Sequence, residues 1–237
     1  MNIETCFSPA LFPVYKNTEA VVVVVDILRA TTSICSAFEN GVQSIIPVAS
    51  SKDLPDYKAQ GYLVAAERNG LKLDVADFGN SPEGFQTEQV KGKTIVYSTT
   101  NGTKTIQMAA DCKAVVIASF SNLSAVARYV VQQQSPVTLL CAGWKGKYNI
   151  EDTVFCGALA EKLVQTQKFT SDCDATKTAV EMWRNHKHDL RTLIEICAQN
   201  TRLTTNNLHH CIDFCLTLDT TNKVPVFAGN EITAVEV

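Results

Sequence analysis

Six short and almost wholly apolar runs constrain the fold of this chain more than any other feature of its sequence. The runs are Ala20–Val25, Ser44–Val48, Tyr62–Ala66, Thr94–Tyr97, Ala114–Ala118 and Val137–Cys141. Each has the length of a buried strand and ends in small or polar residues, after which a helical pattern follows. Because consecutive residues are apolar, the runs suit parallel strands covered on both faces. The sequence therefore predicts an α/β fold.

The spacing of the last three runs indicates repeated strand–helix units, since they start 20 and 23 residues apart. We therefore expect a three-layer α/β/α architecture with a mainly parallel or mixed sheet. We expect residues 1–237 to form one domain, or two tightly packed α/β lobes that meet near residues 85–93. No low-complexity linker separates such lobes.

Beyond residue 150 the pattern changes from strands to helices. Helices are predicted at Glu151–Thr166, Asp174–Trp183, His188–Gln199 and Asn206–Leu216. Two extended segments, Val224–Val226 and Ile232–Val237, follow them.

The charge of the chain excludes several classes of partner. Its net charge is −3 at pH 7 and it has no dense run of Lys and Arg, so nucleic acid and anionic membranes are poorly supported. The longest apolar run is far too short to span a bilayer. Residues Met1–Thr5 lack the features of a signal peptide, so we expect a soluble, cytoplasmic protein. The oligomeric state is left open, and a homo-oligomer is compatible with the sequence.

Nine cysteines are scattered through the apolar strands and helices, and none forms a CxxC pair. In a reducing compartment such residues are mostly small members of the core. The nearest approach to a metal cluster is His209, His210, Cys211 and Cys215, but this spacing fits no common zinc pattern. We therefore favour core packing over a zinc site.

Polar residues follow the run Ala20–Val25, at the end of a strand where ligands of open α/β sheets bind. The Asp26 carboxylate can hold a metal ion or act as base or nucleophile. Arg29 can bind an anion, and the hydroxyl of Thr31 can cap the next helix or donate to phosphate. An ordinary helix cap with a surface arginine is the alternative, but the convergence of these groups favours a functional site.

The segment Ser98–Thr103 is the strongest single indication of phosphate binding. Small residues let its backbone approach a ligand, and Gly102 permits a turn with positive φ. The N–H groups of Thr99, Thr100, Asn101, Gly102 and Thr103 would then point at an anion at the start of a helix. An Asn-Gly hairpin turn is the alternative, but it would need a strand directly afterwards, and Thr105–Ala110 is predicted to be helical.

Three further strand ends carry polar residues. Glu67 is suited to bind magnesium and Arg68 to bind an anion, although a buried ion pair would also explain them. Asn122 follows the run Ala114–Ala118 and is a candidate for substrate binding. Glu151 and Asp152 stand at a helix start, where they could cap the helix, bind Mg²⁺ or orient an attacking water.

Standard hydrolase motifs do not account for these residues. The four histidines lie in the late helical region, which gives a serine triad weak support. Haloacid-dehalogenase phosphatases carry DxDxT after their first strand, whereas Leu28 replaces the second Asp here and Thr31 comes one place late. We do not assign that family.

Taken together, five ordered segments resemble the 2-phosphosulfolactate phosphatase (ComB-like) family over roughly residues 20–160. They are Asp26–Thr32, Glu67–Gly70, Asp77–Pro82, Thr99–Thr103 and Cys141–Gly143 with Glu151 and Asp152. The region from Leu218 to Pro225 is similar to the C-terminal part of the family. Two positions depart from it, since Ala65-Ala66 stands where a glycine is expected before Glu67, and Asn69 stands where a second small residue is expected.

The resemblance implies an Mg²⁺-dependent phosphatase that hydrolyses 2-phospho-3-sulfolactate to 3-sulfolactate, a step of coenzyme M synthesis. Asp26, Glu67, Glu151 and Asp152 would hold the metal, and Arg29 and the Thr99–Thr103 segment would hold the phosphoryl group. Arg68 would bind the sulfonate or carboxylate. Asp26 remains open as nucleophile, base or ligand. The alternatives are a phosphatase of the same fold acting on another small phosphorylated acid, and a non-catalytic protein that binds a phosphorylated metabolite.

Overall fold

The apolar runs form strands of one ten-stranded mixed sheet in the computed structural model, which describes residues 1–237. The strands are β1 (Ile3–Cys6), β2 (Val21–Val25), β3 (Ser44–Pro47), β4 (Leu63–Arg68), β5 (Leu71–Lys72), β6 (Thr94–Ser98), β7 (Ala114–Ala118), β8 (Val137–Cys141), β9 (Lys223–Ala228) and β10 (Glu231–Glu236). The predicted α/β class and mixed sheet are confirmed. All six apolar runs are strands, and β1 and β5 are additional strands whose short, mixed sequences gave no signal.

Ten α-helices accompany the sheet. They are α1 (Phe12–Tyr15), α2 (Ala30–Glu39), α3 (Leu54–Ala59), α4 (Gly102–Met108), α5 (Leu123–Gln133), α6 (Ile150–Gln165), α7 (Asp174–His186), α8 (Leu190–Glu195), α9 (Ala198–Thr205) and α10 (Ile212–Leu216). Short 3₁₀ helices lie at Pro9–Leu11, Ser51–Asp53, Pro82–Phe85, Glu88–Val90, Phe120–Asn122 and His209–Cys211. None of the helices has the length and apolar character needed to cross a membrane.

Two parallel groups of strands are joined by an antiparallel hairpin. The strand order is β1-β8-β2-β7-β9-β10-β3-β6-β4-β5. The first four strands are mutually parallel, as are β3, β6 and β4, while β9 and β10 pair antiparallel to their neighbours. The C-terminal segments predicted as extended are therefore confirmed as strands, and they lie in the middle of the sheet. The predicted lobe border at 85–93 lies in the 3₁₀ region before β6 and stays a prediction.

The twist of the sheet brings the two groups together. Three antiparallel pairings separate β7 from β3, so a flat sheet would place the carboxyl ends of the two groups at opposite edges. At roughly 20–25° of twist per pair, the five pairings from β2 to β6 rotate the strand direction by roughly 100–125°. Side chains of β2, β3, β6, α2 and α4 accordingly share one core cluster. The carboxyl ends of β2, β4 and β6 meet as a result.

The continuous apolar sequence of β2 reflects helices on both of its faces. Val21, Val23 and Val25 belong to the core cluster that contains residues of α5, α6 and α7. Val22 and Val24 face the opposite cluster with residues of α2 and α4. All five valines are fully buried, which stabilises the fold by roughly 1.5–3 kcal/mol per side chain.

Two of the helix predictions in the C-terminal region are wrong. His188–Gln199 is not one helix, because Cys197 is extended (φ −73°, ψ 140°) and separates α8 from α9. Asn206–Leu216 is interrupted by Asn207, whose left-handed backbone (φ 57°) ends helical geometry before α10 begins. The other two helices are confirmed as α6 and α7, and α7 extends to His186.

Helices α6 and α7 pack so closely that Gly157 is required at their crossing. A Cβ atom added there would lie 1.9 Å from the carbonyl oxygen of Ala179 and 2.9 Å from Cβ of Trp183. Alanine is the better helix former by about 1 kcal/mol, but overpacking against rigid backbone costs about 3 kcal/mol. We therefore expect Gly157→Ala to lower the melting temperature by roughly 4–8 °C in calorimetry.

Gly84→Ala is the matched control, since a Cβ atom at Gly84 meets nothing within 4 Å. Its melting temperature should stay within about 2 °C of the wild type. Equal melting temperatures for the two variants would contradict the close packing of α6 on α7.

Candidate active site

A narrow polar cavity lies where the carboxyl ends of β2, β4, β6 and β8 converge. Its wall includes the carboxylates of Asp26, Glu67 and Glu151, the guanidinium group of Arg29 and the side chain of Asn101. The cavity has a volume of about 30 Å³, which is room for about two water molecules. The predicted convergence of polar strand ends therefore brings the principal candidates to one place.

Asp26 lies at the carboxyl end of β2, directly before the first turn of α2. The N–H of Ala30 donates to its Oδ1 atom at 3.4 Å, and the N–H of Asp26 donates to Oγ1 of Thr31 at 3.1 Å. Burial, with the nearby charges of Glu67 and Glu151, raises the pKa of Asp26 to about 7. The fully buried Thr31 thus positions the backbone of Asp26 and contributes no exposed donor.

Gly102 allows α4 to begin directly against Asp26. A Cβ atom at this position would lie 2.8 Å from Cβ of Ala30 and 3.0 Å from Oδ2 of Asp26. Its φ is not positive, so the glycine is required for close approach and not for a left-handed turn. The prediction that Gly102 forms a turn with positive φ is therefore wrong. Gly102 nevertheless lies at the site that the sequence indicates.

The Ser98–Thr103 segment leaves fewer free amides than its sequence suggests. The N–H of Thr103 donates to Oγ1 of Thr99 at 3.2 Å, and the N–H of Thr99 donates to Oγ1 of Thr103 at 3.3 Å. The N–H of Thr100 donates to Glu67. Only the N–H groups of Asn101 and Gly102 have no hydrogen-bond partner. The hydroxyls of Thr99 and Thr103 fix the shape of the loop.

Glu67 is buried at the end of β4 and links two loops. Its Oε1 atom accepts from the N–H of Thr100 at 2.6 Å, and its Oε2 atom accepts from the N–H of Gly70 at 2.6 Å. The hydroxyl of Thr100 donates to Oε2 at 3.1 Å. These bonds satisfy both carboxylate oxygens of Glu67 without a basic side chain. Glu67 therefore holds the Gly70 turn and the Ser98–Thr103 segment in register around the cavity.

The two candidate arginines have different environments. Arg29 is 3% exposed and lines the cavity, where Nη1 donates to Oγ of Ser81 at 2.5 Å and Nη2 donates to the carbonyl of Gly70 at 3.1 Å. Arg68 follows Glu67 on β4 and therefore points to the other face of the strand. Its guanidinium group donates to Ser98 Oγ at 2.8 Å, and it does not reach the cavity.

The two carboxylates at the start of α6 also separate. Glu151 lines the cavity and accepts from Nδ2 of Asn149 at 3.1 Å. Asp152 is fully buried behind it and accepts from the N–H groups of Ile27 at 3.0 Å and Gly143 at 3.2 Å. Burial and the charges of Asp26 and Glu151 hold the pKa of Asp152 well above its usual value. Asp152 thus fixes the end of β2 to the Gly143 turn.

Asn122 lies outside the cavity, although the sequence made it a candidate. Its Oδ1 atom accepts from the N–H of Ser119 at 3.0 Å, which completes a capping box. Its Nδ2 group donates to the carbonyl of Lys223 at 3.2 Å and so attaches this turn to β9. Asparagine serves both to cap helices and to bind ligands, and only the tertiary context distinguishes the two roles.

Several cavity residues were missed by the sequence analysis. Asn80 is held by the hydroxyl of Tyr97, and Gln199 donates to the carbonyl of Leu28 at 2.8 Å in the cavity wall. Trp144 lines the wall beneath Arg202, whose guanidinium carbon lies 4.2 Å from the ring centroid. Asn80 lies in a segment already singled out, but Gln199 and Arg202 come from α9, which carries no motif.

The oxygen atoms of the cavity have the chemistry of a site for a hard cation. No group of three or more His, Cys, Asp and Glu side chains is gathered closely enough to hold a metal ion as it stands. However, Oδ1 of Asn149 is buried without a hydrogen-bond partner and belongs to the cavity wall beside Glu151. Carboxylate and amide oxygens are the ligands Mg²⁺ prefers. The residues present therefore fit Mg²⁺.

Comparison with known proteins identifies relatives along nearly the whole chain. The sequence model of the 2-phosphosulpholactate phosphatase family matches residues 6–230. A protein of Caldanaerobacter subterraneus subsp. tengcongensis named "Probable 2-phosphosulfolactate phosphatase" is 35% identical over 208 residues, which cover 86% of each chain. Proteins with the same name from Symbiobacterium thermophilum and Synechococcus sp. (strain CC9605) are 32% and 34% identical, covering 91% and 95% of this chain and 94% and 96% of the relatives.

The raised pKa of Asp26 predicts that the free energy of unfolding decreases as the pH rises. The folded protein binds a proton at Asp26 up to about pH 7, whereas the unfolded chain releases it near the ordinary value of 3.8. The contribution of protonated Asp26 to the free energy of unfolding is therefore fully present below about pH 4 and is lost as the pH rises through 7. Relative to the wild type, Asp26→Asn should gain on the order of 2–4 kcal/mol in unfolding free energy between pH 4 and 8, measured by urea denaturation with chelator.

Asp77→Asn provides a control of opposite sign. Burial opposes the charge of Asp77, but the ammonium group of Lys58 and the N–H of Val64 outweigh it and lower the pKa of Asp77. This variant should be less stable than the wild type near neutral pH, and the difference should shrink in acid. A pH-independent difference between Asp26→Asn and the wild type would refute the raised pKa of Asp26.

Proposed function

We propose that the cavity hydrolyses 2-phospho-3-sulfolactate. The premise is that this chain belongs to the 2-phosphosulpholactate phosphatase family and is a phosphoric monoester hydrolase. The products are 3-sulfolactate and inorganic phosphate. The observation that carries this proposal is the convergence of Asp26, Glu67 and Glu151 on one cavity beside two amides without partners. In a host that makes coenzyme M, the product would serve that synthesis.

The phosphoryl group would bind at the start of α4. The unpartnered N–H groups of Asn101 and Gly102 supply two donors, and Arg29 supplies positive charge from the cavity wall. Donors fixed in this way stabilise charge that develops on the phosphoryl oxygens in the transition state, because they need no reorganisation. The bonds of Arg29 to Ser81 and Gly70 keep its charge in place.

Asp26 is proposed as the group that accepts the proton of the attacking water. A pKa of about 7 suits a general base at neutral pH. The water oxygen forms a bond to phosphorus as its proton passes to Asp26, and the ester P–O bond breaks. The alcohol oxygen of sulfolactate takes a proton from bulk water, and Asp26 then releases its proton to solvent. A phosphoenzyme on Asp26, trapped by acid quenching and found by mass spectrometry, would show direct attack by the carboxylate and refute this role.

Glu151 and the Oδ1 atom of Asn149 are the groups proposed to hold Mg²⁺, with Glu67 nearby, and Asp26 is kept as the base. When bound, Mg²⁺ would neutralise phosphoryl oxygens and polarise the water. Glu67 and Asp152 already accept hydrogen bonds from backbone N–H groups, so we propose them mainly as supports of the loops. A substrate with about four negative charges requires such compensation in a wall that contains three carboxylates.

The test is phosphate release from 2-phospho-3-sulfolactate with Mg²⁺ and with chelator. We expect release to depend on Mg²⁺ and to fall at least about 100-fold in Asp26→Asn, since general base catalysis typically contributes that much. Asp77→Asn should retain release within about threefold, because Asp77 contacts Lys58 outside the cavity.

Other small phosphorylated acids and a pure binding protein are the competing functions. Faster release from another acid in the same assay would reassign the substrate but keep the reaction. Binding of the substrate without release, in the presence of Mg²⁺, would refute the phosphatase mechanism proposed here for Asp26.

A further inference from the structure

The cavity has few cations for the charge that it must bind. Three carboxylates line it, while Arg29 is the only basic side chain in its wall. The terminal nitrogens of Arg29 donate to Ser81 and Gly70, and those of Arg68 donate to the carbonyl of Glu67 and to Oγ of Ser98. Neither guanidinium group therefore presents a free fork to a second anion of the substrate.

Arg202 has the free fork that these two arginines lack. Its Nε atom donates to Oε1 of Gln199 at 2.6 Å, and its guanidinium carbon lies 4.2 Å from the ring centroid of Trp144. Both partners line the cavity. Nη1 and Nη2 have no hydrogen-bond partner and no carboxylate within salt-bridge distance. The guanidinium group is thus fixed on one edge and open on the other.

The position of α9 places this arginine at the rim of the site. Gln199 donates to the carbonyl of Leu28, and Nδ2 of Asn206 donates to the carbonyl of Asn69 at 3.1 Å. These two bonds attach α9 across the loops that follow β2 and β4. Since the cavity holds only about 30 Å³, most of an anionic substrate would stay at the rim.

We propose that Arg202 binds the non-transferred anion of the substrate, its carboxylate or its sulfonate, and so determines specificity. This inference rests on the proposed phosphatase function. A guanidinium group that is stacked and already ordered loses little conformational freedom when its two free nitrogens bind an anion together. Lys145, whose Nζ atom lies 5.4 Å from the same Trp144 ring, adds a second positive charge.

The experiment measures kcat and KM for three phosphate esters with the wild type, Arg202→Met and Arg202→Lys. The esters are 2-phospho-3-sulfolactate, 2-phospholactate without the sulfonate, and 2-sulfoethyl phosphate without the carboxylate. For the full substrate, Arg202→Met should raise KM roughly 10- to 100-fold with kcat within about threefold, as expected for a lost charged hydrogen bond. Arg202→Lys should recover part of the loss.

The analogue that lacks the contacted anion identifies the group. For that analogue, Arg202→Met should leave KM unchanged, whereas the other analogue should show the full increase. Arg191→Met is the matched control and should leave KM unchanged for all three esters, since Arg191 pairs with Asp213 on the surface. An equal increase in KM for all three esters, or a fall in kcat alone, would overturn the assignment of Arg202.

A failure of the proposed function gives a different result. If the wild type releases no phosphate from any ester, the phosphatase proposal fails. Calorimetric binding of the same three compounds to the wild type and Arg202→Met then tests Arg202 by itself. Selective loss of affinity for esters that carry one particular anion would support the inference, and equal affinities would overturn it.

Discussion

The contact between the first turns of α2 and α4 is the constraint on which the site depends. These helices follow β2 and β6, which belong to oppositely directed groups of strands, and only the twist of the sheet brings their starts together. Gly102 makes the final approach, because any side chain there would displace either Ala30 or the Asp26 carboxylate. The amide of Gly102, a potential phosphate donor, and the carboxylate of Asp26 are therefore neighbours for a steric reason that also fixes the fold.

Electrostatic repulsion is the consequence of this closeness. Burial raises the pKa of Asp26, Glu151 and Asp152, and the charges of neighbouring carboxylates add to the effect at Asp26 and Asp152. Hydrogen bonds from backbone N–H groups stabilise Glu67 and Asp152, but Asp26 receives only one long bond. Backbone N–H groups thus hold Glu67 and Asp152 in the loops they join, whereas the Asp26 carboxylate beside Gly102 has the fewest hydrogen bonds of the three. Such a group changes its protonation or its partners most readily.

The strands and the place of the site could be predicted from the sequence, because both depend on local pattern. Consecutive apolar residues identified β2, β6, β7 and β8, and the polar residues after them marked the edge at which ligands bind. Side-chain direction could not be read from loop composition alone. Glu67 and Arg68 are adjacent in sequence, yet the two-residue period of β4 places only Glu67 in the cavity. Asn122 likewise has the composition of a ligand-binding residue and serves as a cap.

The part of the site that the sequence could not predict comes from α9, and the physical reason is topological. Gln199 lies 171 residues from the Leu28 carbonyl that it binds, in a short helix created by a break at Cys197 that also carries Arg202. A continuous helix from α8 would have carried Gln199 along the axis set by the buried residues Leu193 and Ile194. The break lets the buried side of α8 remain in the core while α9 turns over the cavity, with Gln199 bonded to Leu28. The strand ends therefore supply groups that sequence motifs reveal, whereas the rim proposed to meet the remainder of the substrate is built by a segment without a motif.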